Sequence, residues 1–505
     1  MELISYNNNS KKNIICFGRN KLAISSLIEK FDVADKIAYI CDNNKKLHGF
    51  TTIKEFEYQV VGAEIFENID VDEYDIVITS SFYSEIYEQL KLLPKINKKD
   101  AIYLFIDVAI ENEKKYRKKY EESSLENIIV FRSGPMPSQY VKGTDFADNS
   151  RALFEYMVDN GYNKKYELIW LVKNPNDYDE IKIDNVKFLS FDWDKSTIPE
   201  ERDEYYRAIC LAKYMFFTDS YGFALNSRSD QVRIQLWHGC GFKTRTNFGR
   251  CEHRYDYTTV VSPLYKEIHK EIYGLRDDQV LVTGYAKHDW LYKPYDKNMS
   301  EILGIKEAKK YIFWLPTFRI ADDKLDNLNQ YEINPETGLP IVENESSFLK
   351  VNGLLADLDM VMIIKLHPIQ KNNLVLDKEY SNIRIMRNQE LAEKDLIINR
   401  LLASSDALIS DYSSVAVDYL NLNRPVAFTL DDVEEYENSR GFVFDNIKEM
   451  LPGKEIYSVD DLCDYLKEVA EGIDSEYKKR NDITSKLLKY RDENNCRRIC
   501  EAFNI

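Results

Sequence analysis

The chain is short of several things, and each shortage excludes something. Nowhere in its 505 residues is there a run of about 18 apolar residues, the length a membrane-crossing helix needs. Its opening residues, MELISYNNNSKKN, contain no apolar core of an export signal, so the expectation is a protein neither membrane-spanning nor secreted by a standard route. No CxxC pair occurs, and the eight cysteines (Cys16, Cys41, Cys210, Cys240, Cys251, Cys463, Cys496 and Cys500) are scattered. That spacing fits neither a metal knuckle nor a disulfide framework and points to reduced, cytoplasmic thiols. Positive charge is in deficit, 68 Lys and Arg against 85 Asp and Glu, a net of −17. A general nucleic-acid binder needs a broad basic surface, so nucleic acid is not an expected partner. A basic cluster near the C-terminus (Lys478, Lys479, Arg480, Lys486, Lys489 and Arg491) reads as a solvated helix face.

Two further scarcities carry information. The first strand-to-helix turn, Gly18-Arg19-Asn20-Lys21, lacks the GxGxxG that lets a dinucleotide pyrophosphate approach, although Asp42 follows the second strand where a ribose-binding acid would sit. A structural or regulatory role for this module is favoured over an NAD site. Histidine is rare, six in all, so where each one falls is informative.

What is present is globular. Hydrophobic residues make up 44% and aromatics 13%, too many for wholesale disorder, and the length suits about three domains. Residues 13 to 107 alternate apolar runs with helical patterns: NIICFG, KIAYIC, IVITSS and AIYLFID. The rhythm restarts with NIIVF, ELIWLV, KFLSF, YMFFTD and VRIQLWHG, and again with YIFWLPTF, VMIIKLHP, NIRIM, ALISD and RPVAFTL. Such alternation predicts parallel, doubly wound sheets: an α/β protein with two facing Rossmann-like domains preceded by a third. The predicted divisions are an accessory domain at 1–110, a linker helix at 111–126, halves at 127–295 and 296–485, and a C-terminal helix at 486–505.

In open α/β sheets ligands lie beyond the carboxyl ends of the strands. At one such end the run Ala407 to Ile409 stops in Ser410-Asp411-Tyr412-Ser413-Ser414, a strand, a tight turn and a helix start. The first turn of a helix leaves backbone N–H groups unpaired and carries partial positive charge, so it receives anions, and serine hydroxyls add donors there. Taken alone, the motif reads more readily as an ordinary helix cap. Two of the six histidines also follow apolar runs: His238 in IQLWHG and His367 in IIKLHP. Imidazole takes a proton from a hydroxyl near neutral pH or, protonated, meets developing phosphate charge. Thr317 and Arg319 in LPTFR and Lys365 in KLHP add a hydroxyl and two cations at other strand ends. Gly239 and Gly284 allow close backbone approach or a positive φ, or form ordinary turns. Asp431, Asp432, Glu435, Tyr436 and Arg440 follow the last predicted strand and either read a nucleoside or form a solvated loop.

These strings, in this order, resemble the CDP-glycerol glycerophosphotransferase family of teichoic-acid and capsule enzymes: WHGxxxK at Trp237 to Lys243, GYxKxD at Gly284 to Asp289, LPTFR, KLHP, SDYSS, DxxEY at Asp432 to Tyr436, and RGFVFD then LPG at Arg440 to Gly453. The resemblance covers roughly residues 128 to 505. It implies a GT-B fold that moves a polyol phosphate, usually glycerol phosphate, from a CDP-activated donor to a hydroxyl of a polymer or lipid-linked acceptor, releasing CMP. It implies work in the cytoplasm, with peripheral contact at the inner face of the membrane. No metal or cofactor is expected, and the Asp-x-Asp triplets (Asp70/Asp72, Asp192/Asp194, Asp357/Asp359) lie outside the motifs.

By the same resemblance His238 is the general base and His367 stabilises the transferred phosphoryl, roles that could be exchanged. Ser413, Ser414, Asp411, Thr317, Arg319, Lys365, Gly284, Asp432 and Arg440 form the donor side, and Gly239 and Lys243 the acceptor side. Cys240-Gly241 stands where the family commonly has Thr-Pro, Ala286 where it has Pro, and His288 where it has Asn. The alternatives are a nucleotide-sugar glycosyltransferase using the same cleft, and an inactive envelope-assembly scaffold.

Overall fold

The computed structural model describes residues 2–505 apart from 9, 81–82, 106–107, 135–141, 220–221, 245–250, 318–333, 335, 367–373 and 440. It divides into two units, residues 1–122 with 192–206, and residues 123–191 with 207–505. Both are mixed α/β built on parallel sheets.

The first unit carries a seven-stranded sheet, edge to edge Glu2–Ser5, Ala101–Leu104, Tyr74–Ile78, Asn13–Phe17, Ile37–Cys41, Phe56–Val61 and Gly49–Ile53. Both faces of its centre are covered, which is why Ile14, Ile15, Cys16, Ile76, Val77 and Ile78 are all buried in unbroken apolar runs. The wholly parallel arrangement predicted here is corrected at one edge, where Gly49–Ile53 pairs antiparallel with Phe56–Val61. At the head of the helix Lys21–Phe31, Asn20 accepts the Ala23 N–H at 3.2 Å, and Asp42 accepts the Arg19 N–H at 3.0 Å. The carboxylate that sequence pattern offers to a ribose is engaged by the turn itself. The helix Val108–Lys119 starts three residues before the predicted linker.

The second unit holds two wholly parallel sheets. One runs Val186–Ser190, Glu167–Val172, Glu126–Ser133, Ala212–Thr218, Val232–Gln235, Tyr257–Val260 and Val280–Val282. The other runs Ile383–Met386, Met360–Lys365, Lys310–Trp314, Ala407–Ser410, Val426–Thr429 and Lys454–Ile456. An aromatic core fills the first: Phe131 stacks on Trp170 at 5.6 Å between centroids, and Phe146 meets the same indole edge-on at 4.7 Å. In the second, Trp314, Met362, Ile364 and Ile409 are shut in by the helices Glu345–Asp357 and Val459–Glu471.

The chain finally returns to the first sheet's side. Asp289 accepts the Asn495 and Cys496 backbone N–H groups, each at 2.9 Å, capping the helix Asn495–Ala502 while Ile499 joins the aromatic core. Gly284 makes room for this: its φ is +79°, and an added Cβ would lie 1.8 Å from Asn495 Oδ1. The expected solvated basic face holds at Lys478, Lys486, Lys489 and Arg491, which are exposed, and is corrected at Arg480, which is fully buried and donates to Asp474 at 2.9 Å.

Candidate active site

The strand Val232–Gln235 ends in a turn with unusual backbone: Trp237 holds a left-handed φ of 58° and Asp219, at the end of the neighbouring strand, a φ of 63°. One side chain supports both, since Gln235 Oε1 accepts the Trp237 N–H at 3.0 Å and the Asp219 N–H at 3.1 Å. Asn149 adds a bond to the Trp237 carbonyl at 2.8 Å. The turn turns His238 outward, stacked on the Trp237 indole at 5.0 Å, with its Nδ1 3.2 Å from Asp219 Oδ1. An Nδ1–H donated to Asp219 leaves Nε2 as the ring's proton acceptor. At 30% and 50% exposed, the pair is partly screened, so Asp219 fixes the tautomer and orientation more than it adds charge.

Opposite this turn stands SDYSS. Ser410 closes its strand, Asp411 and Tyr412 are fully buried, and Ser414 precedes the short helix Val415–Tyr419, which continues into one 3-10 turn, Leu420–Leu422. Asp411 takes the Thr317 N–H at 2.7 Å and its hydroxyl at 2.6 Å, and Lys243 donates to the same Thr317 oxygen at 3.2 Å. Tyr412 donates to Asp432 at 3.1 Å and packs on Tyr436 and Phe442.

The two halves meet here at van der Waals distance. A Cβ on Gly239 would come within 2.4 Å of Ser414 Oγ, and one on Gly241 within 3.1 Å of the Ser414 backbone. Backbone pairing continues the contact: Lys243 and Phe442 form an antiparallel bridge, flanked by Val443 N–H to Phe242 at 2.9 Å and Thr244 N–H to Gly441 at 3.2 Å. Behind it lies a charged knot. Lys287 donates to the His238 carbonyl at 2.5 Å and pairs with Asp418 at 3.0 Å, while His288 Nε2 sits 2.7 Å from the other oxygen of Asp418 and Asn421 bonds the far ring nitrogen. Burial works against both charges, yet Asp418 and Asp148 keep the Lys287 ammonium above its ordinary range, and Lys287 with His288 holds the Asp418 carboxyl below its own. The turn that carries His238 and the Ser414 helix are thereby fastened to one another.

A cavity of about 100 Å³ opens at this junction, lined by His238, Gly239, Lys243 and Ser414 among others. Of the residues singled out in the sequence, these four and, through Lys243, Thr317 and Asp411 are brought together. Ser413 is next to them in the chain, and its carbonyl accepts the Ala416 N–H. Lys365 ends its strand half-buried, and burial lowers its ammonium to about 8. Asp432 is placed inside the fold as the partner of Tyr412 rather than on the cavity, and Gly284 is packed against the C-terminal helix. His367, Arg319 and Arg440 lie outside the described residues. Sequence reasoning missed Asp219 and Asp418, and met Lys287 only as the Lys of GYxKxD, with no role given to it. Asp219 had a signal, since YMFFTD ends at it as IQLWH ends at His238.

The departures from the family pattern fall at this same junction. The Cys240 thiol, pushed up to about 12 by burial, sits 3.0 Å from the Tyr285 hydroxyl, and His288 is the imidazole of the knot.

Comparison with known proteins agrees with these motifs. The family described as CDP-Glycerol:Poly(glycerophosphate) glycerophosphotransferase matches residues 115–504. The teichoic acid glycerol-phosphate primase of Bacillus subtilis (strain 168) is 29% identical over 306 residues, 56% of this chain and 72% of the primase. A teichoic acid poly(glycerol phosphate) polymerase of Staphylococcus epidermidis is 27% identical over 374 residues, and there the chain spans about half the relative, 46%. A structure of the wall teichoic acid polymerase TagF aligns with a TM-score of 0.57 at 21% identity, covering 79% of this chain and 94% of that one, a likeness of fold. With its ordered motifs and a family match over most of its length, the chain belongs to the CDP-glycerol:poly(glycerophosphate) glycerophosphotransferase family.

Proposed function

We propose that the chain transfers glycerol phosphate, or a related polyol phosphate, from a CDP-activated donor to a hydroxyl of a cell-envelope polymer or glycolipid, releasing CMP. The observation that carries this is the contact of Gly239 with Ser414, which sets the histidine and the donor-side hydroxyl on one small cavity. In the proposed reaction His238 Nε2 takes the proton of the acceptor hydroxyl, and the freed oxygen attacks the phosphorus bearing the polyol. The bond from that phosphorus to the bridging oxygen breaks, and CMP leaves with the electron pair. Ser413, Ser414 and the amides of the turn hold the donor phosphates, and Lys243, on the cavity lining, meets their charge. His367, Arg319 and Arg440 complete the donor side in this reading. Protein groups and the donor suffice, without metal or cofactor.

We read the two sheets of the second unit as the facing halves of a GT-B fold, and the first unit as an accessory Rossmann-like module. No helix among the described residues is long and apolar enough to cross a membrane. A lipid-linked acceptor would be met by peripheral contact at the membrane's cytoplasmic face.

The test is to offer the purified protein a panel of CDP-polyols and nucleotide sugars and identify the released nucleotide by mass. CMP from a CDP-polyol is expected. UDP, GDP or CDP as product would replace this reading with sugar transfer, and no product from any donor, with an acceptor supplied, would favour a scaffold.

A further inference from the structure

The turn that carries His238 is held by side chains from elsewhere in the unit, and one of them holds Asp219 as well. Asn149 bonds the Trp237 carbonyl and Lys287 the His238 carbonyl, both on the histidine's own turn. Gln235 lies opposite Phe217 in the sheet, and its Oε1 accepts the Trp237 N–H at 3.0 Å on its own strand's side and the Asp219 N–H at 3.1 Å on its neighbour's. One oxygen serves both backbones. Because both partners are N–H donors, only the oxygen end of the amide can face them, so the chemistry settles which way the amide points.

The arrangement is unfavourable for the fold taken alone. Gln235 is fully buried, yet its Nε2 has no hydrogen-bond partner among the described residues, and a buried donor left unpaired is destabilising. Trp237 and Asp219 both hold left-handed φ angles, 58° and 63°, which side chains with a Cβ adopt reluctantly. Strain of this kind persists where the surroundings over-determine it. Here it falls on the residue before the proposed base and on the carboxylate that orients that base. An apolar residue in place of Gln235 would fill the space but leave the two N–H groups without their shared acceptor. Glutamine accepts both while staying neutral.

We infer that Gln235 is a positioning residue for the proposed transfer: by tying the two turns to one oxygen, it sets the 3.2 Å approach of His238 Nδ1 to Asp219 Oδ1. Through that approach it selects the Nδ1–H tautomer, which leaves Nε2 to take the acceptor's proton. Its effect on rate rests on the proposed reaction, whereas its effect on the tautomer rests on the geometry alone. Gln235 itself meets no substrate.

Gln235→Met keeps the length of the side chain and removes the accepting oxygen. In the full-length chain it is expected to lower kcat about tenfold or more, with KM for donor and acceptor unchanged, as for a histidine held in the wrong tautomer. Gln235→Glu returns an oxygen to the same place and is expected to bring kcat back to within about threefold of native, with a lower thermal midpoint because a carboxylate is then buried. Nitrogen-15 NMR of the imidazoles at about pH 8.5, where histidine is neutral, reads the tautomer without turnover, and His238→Asn identifies its signals among the six histidines. The native chain is expected to show the Nδ1–H form at His238 and Gln235→Met a mixture. If the native chain releases no CMP while this change is seen, the transfer reading fails and the positioning role stands. A native tautomer in Gln235→Met overturns the inference, as does a Gln235→Met kcat within about twofold of an active native chain. Should Gln235→Met not fold, hydrogen exchange of the native chain decides: the Trp237 and Asp219 amides, released by one side chain, are expected to be protected to within about tenfold of each other, and a larger difference overturns the shared hold.

Discussion

Replacing Asp418 by asparagine is expected to loosen the second unit and the turn that carries His238 together. Asp418 is 3% exposed and is the shared partner of Lys287 at 3.0 Å and His288 at 2.7 Å. Asparagine preserves the shape and one accepting oxygen but removes the charge opposing a buried ammonium. Breaking a buried pair from one side typically costs 3–5 kcal/mol, and here the residual bond to the His238 carbonyl at 2.5 Å and Asp148 at 3.8 Å offset part of that. A loss of about 3 kcal/mol is therefore expected, which with a slope of about 3 kcal/mol/M moves the urea midpoint of this unit down by about 1 M. The pH dependence has a definite sign. Because the Asp418 carboxyl is held below its ordinary value, its contribution is present above about pH 4 and disappears as pH falls through the folded value. The gap between native protein and variant should close in acid. Urea titrations at pH 7 and in steps below pH 4 test this, with CMP release measured alongside. A loss under about 1 kcal/mol at pH 7, or a gap that stays constant into acid, would refute the account of the knot.

Three further outcomes are expected. Asp219→Asn should lower kcat about tenfold or more with little change in KM, and alter the pH profile of the rate, because the amide no longer selects the Nδ1–H tautomer of His238; pH-rate profiles of both proteins decide it. Gly239→Ala should leave the fold intact yet weaken donor binding at least tenfold, since its methyl would collide with Ser414 Oγ, and calorimetric titration of the CDP-polyol measures this. Lys365→Met should stabilise the protein at pH 7: with a folded value near 8 against an ordinary 10.5, the unfolded chain binds the extra proton between those limits, so native stability rises with pH there and the variant's advantage fades by about pH 10. Denaturation at pH 7, 8.5 and 10 checks the trend.

How far the sequence could be read depended on how local each signal was. ALISD becomes the strand Ala407–Ser410 and ELIWLV the strand Glu167–Val172, because unbroken apolar runs in a doubly covered sheet are recognisable in isolation. The antiparallel hairpin at Gly49–Ile53 and Phe56–Val61 escaped notice because its turn takes a left-handed Lys54, φ 53°, where the usual signal is Asn or Gly. Tyr257–Val260, Val280–Val282 and Lys454–Ile456 are too short to show a period. At the site, His238 and SDYSS announced themselves by position at strand ends. The knot did not: His288 and Asp418 are 130 residues apart, and a buried charge pair leaves no mark on either stretch taken alone. Asp289 likewise sits in a family motif for a reason only the fold reveals, the start of the last helix.

The backbone bridge of residues 242–244 with 441–443 has a kinetic meaning. Parting the halves wide enough to pass a bulky acceptor or a spent nucleotide requires the Thr244 and Val443 amides to let go of their carbonyls. Those two hydrogens should therefore exchange with solvent at the tempo of cleft opening, giving a clock for substrate entry built into the main chain itself.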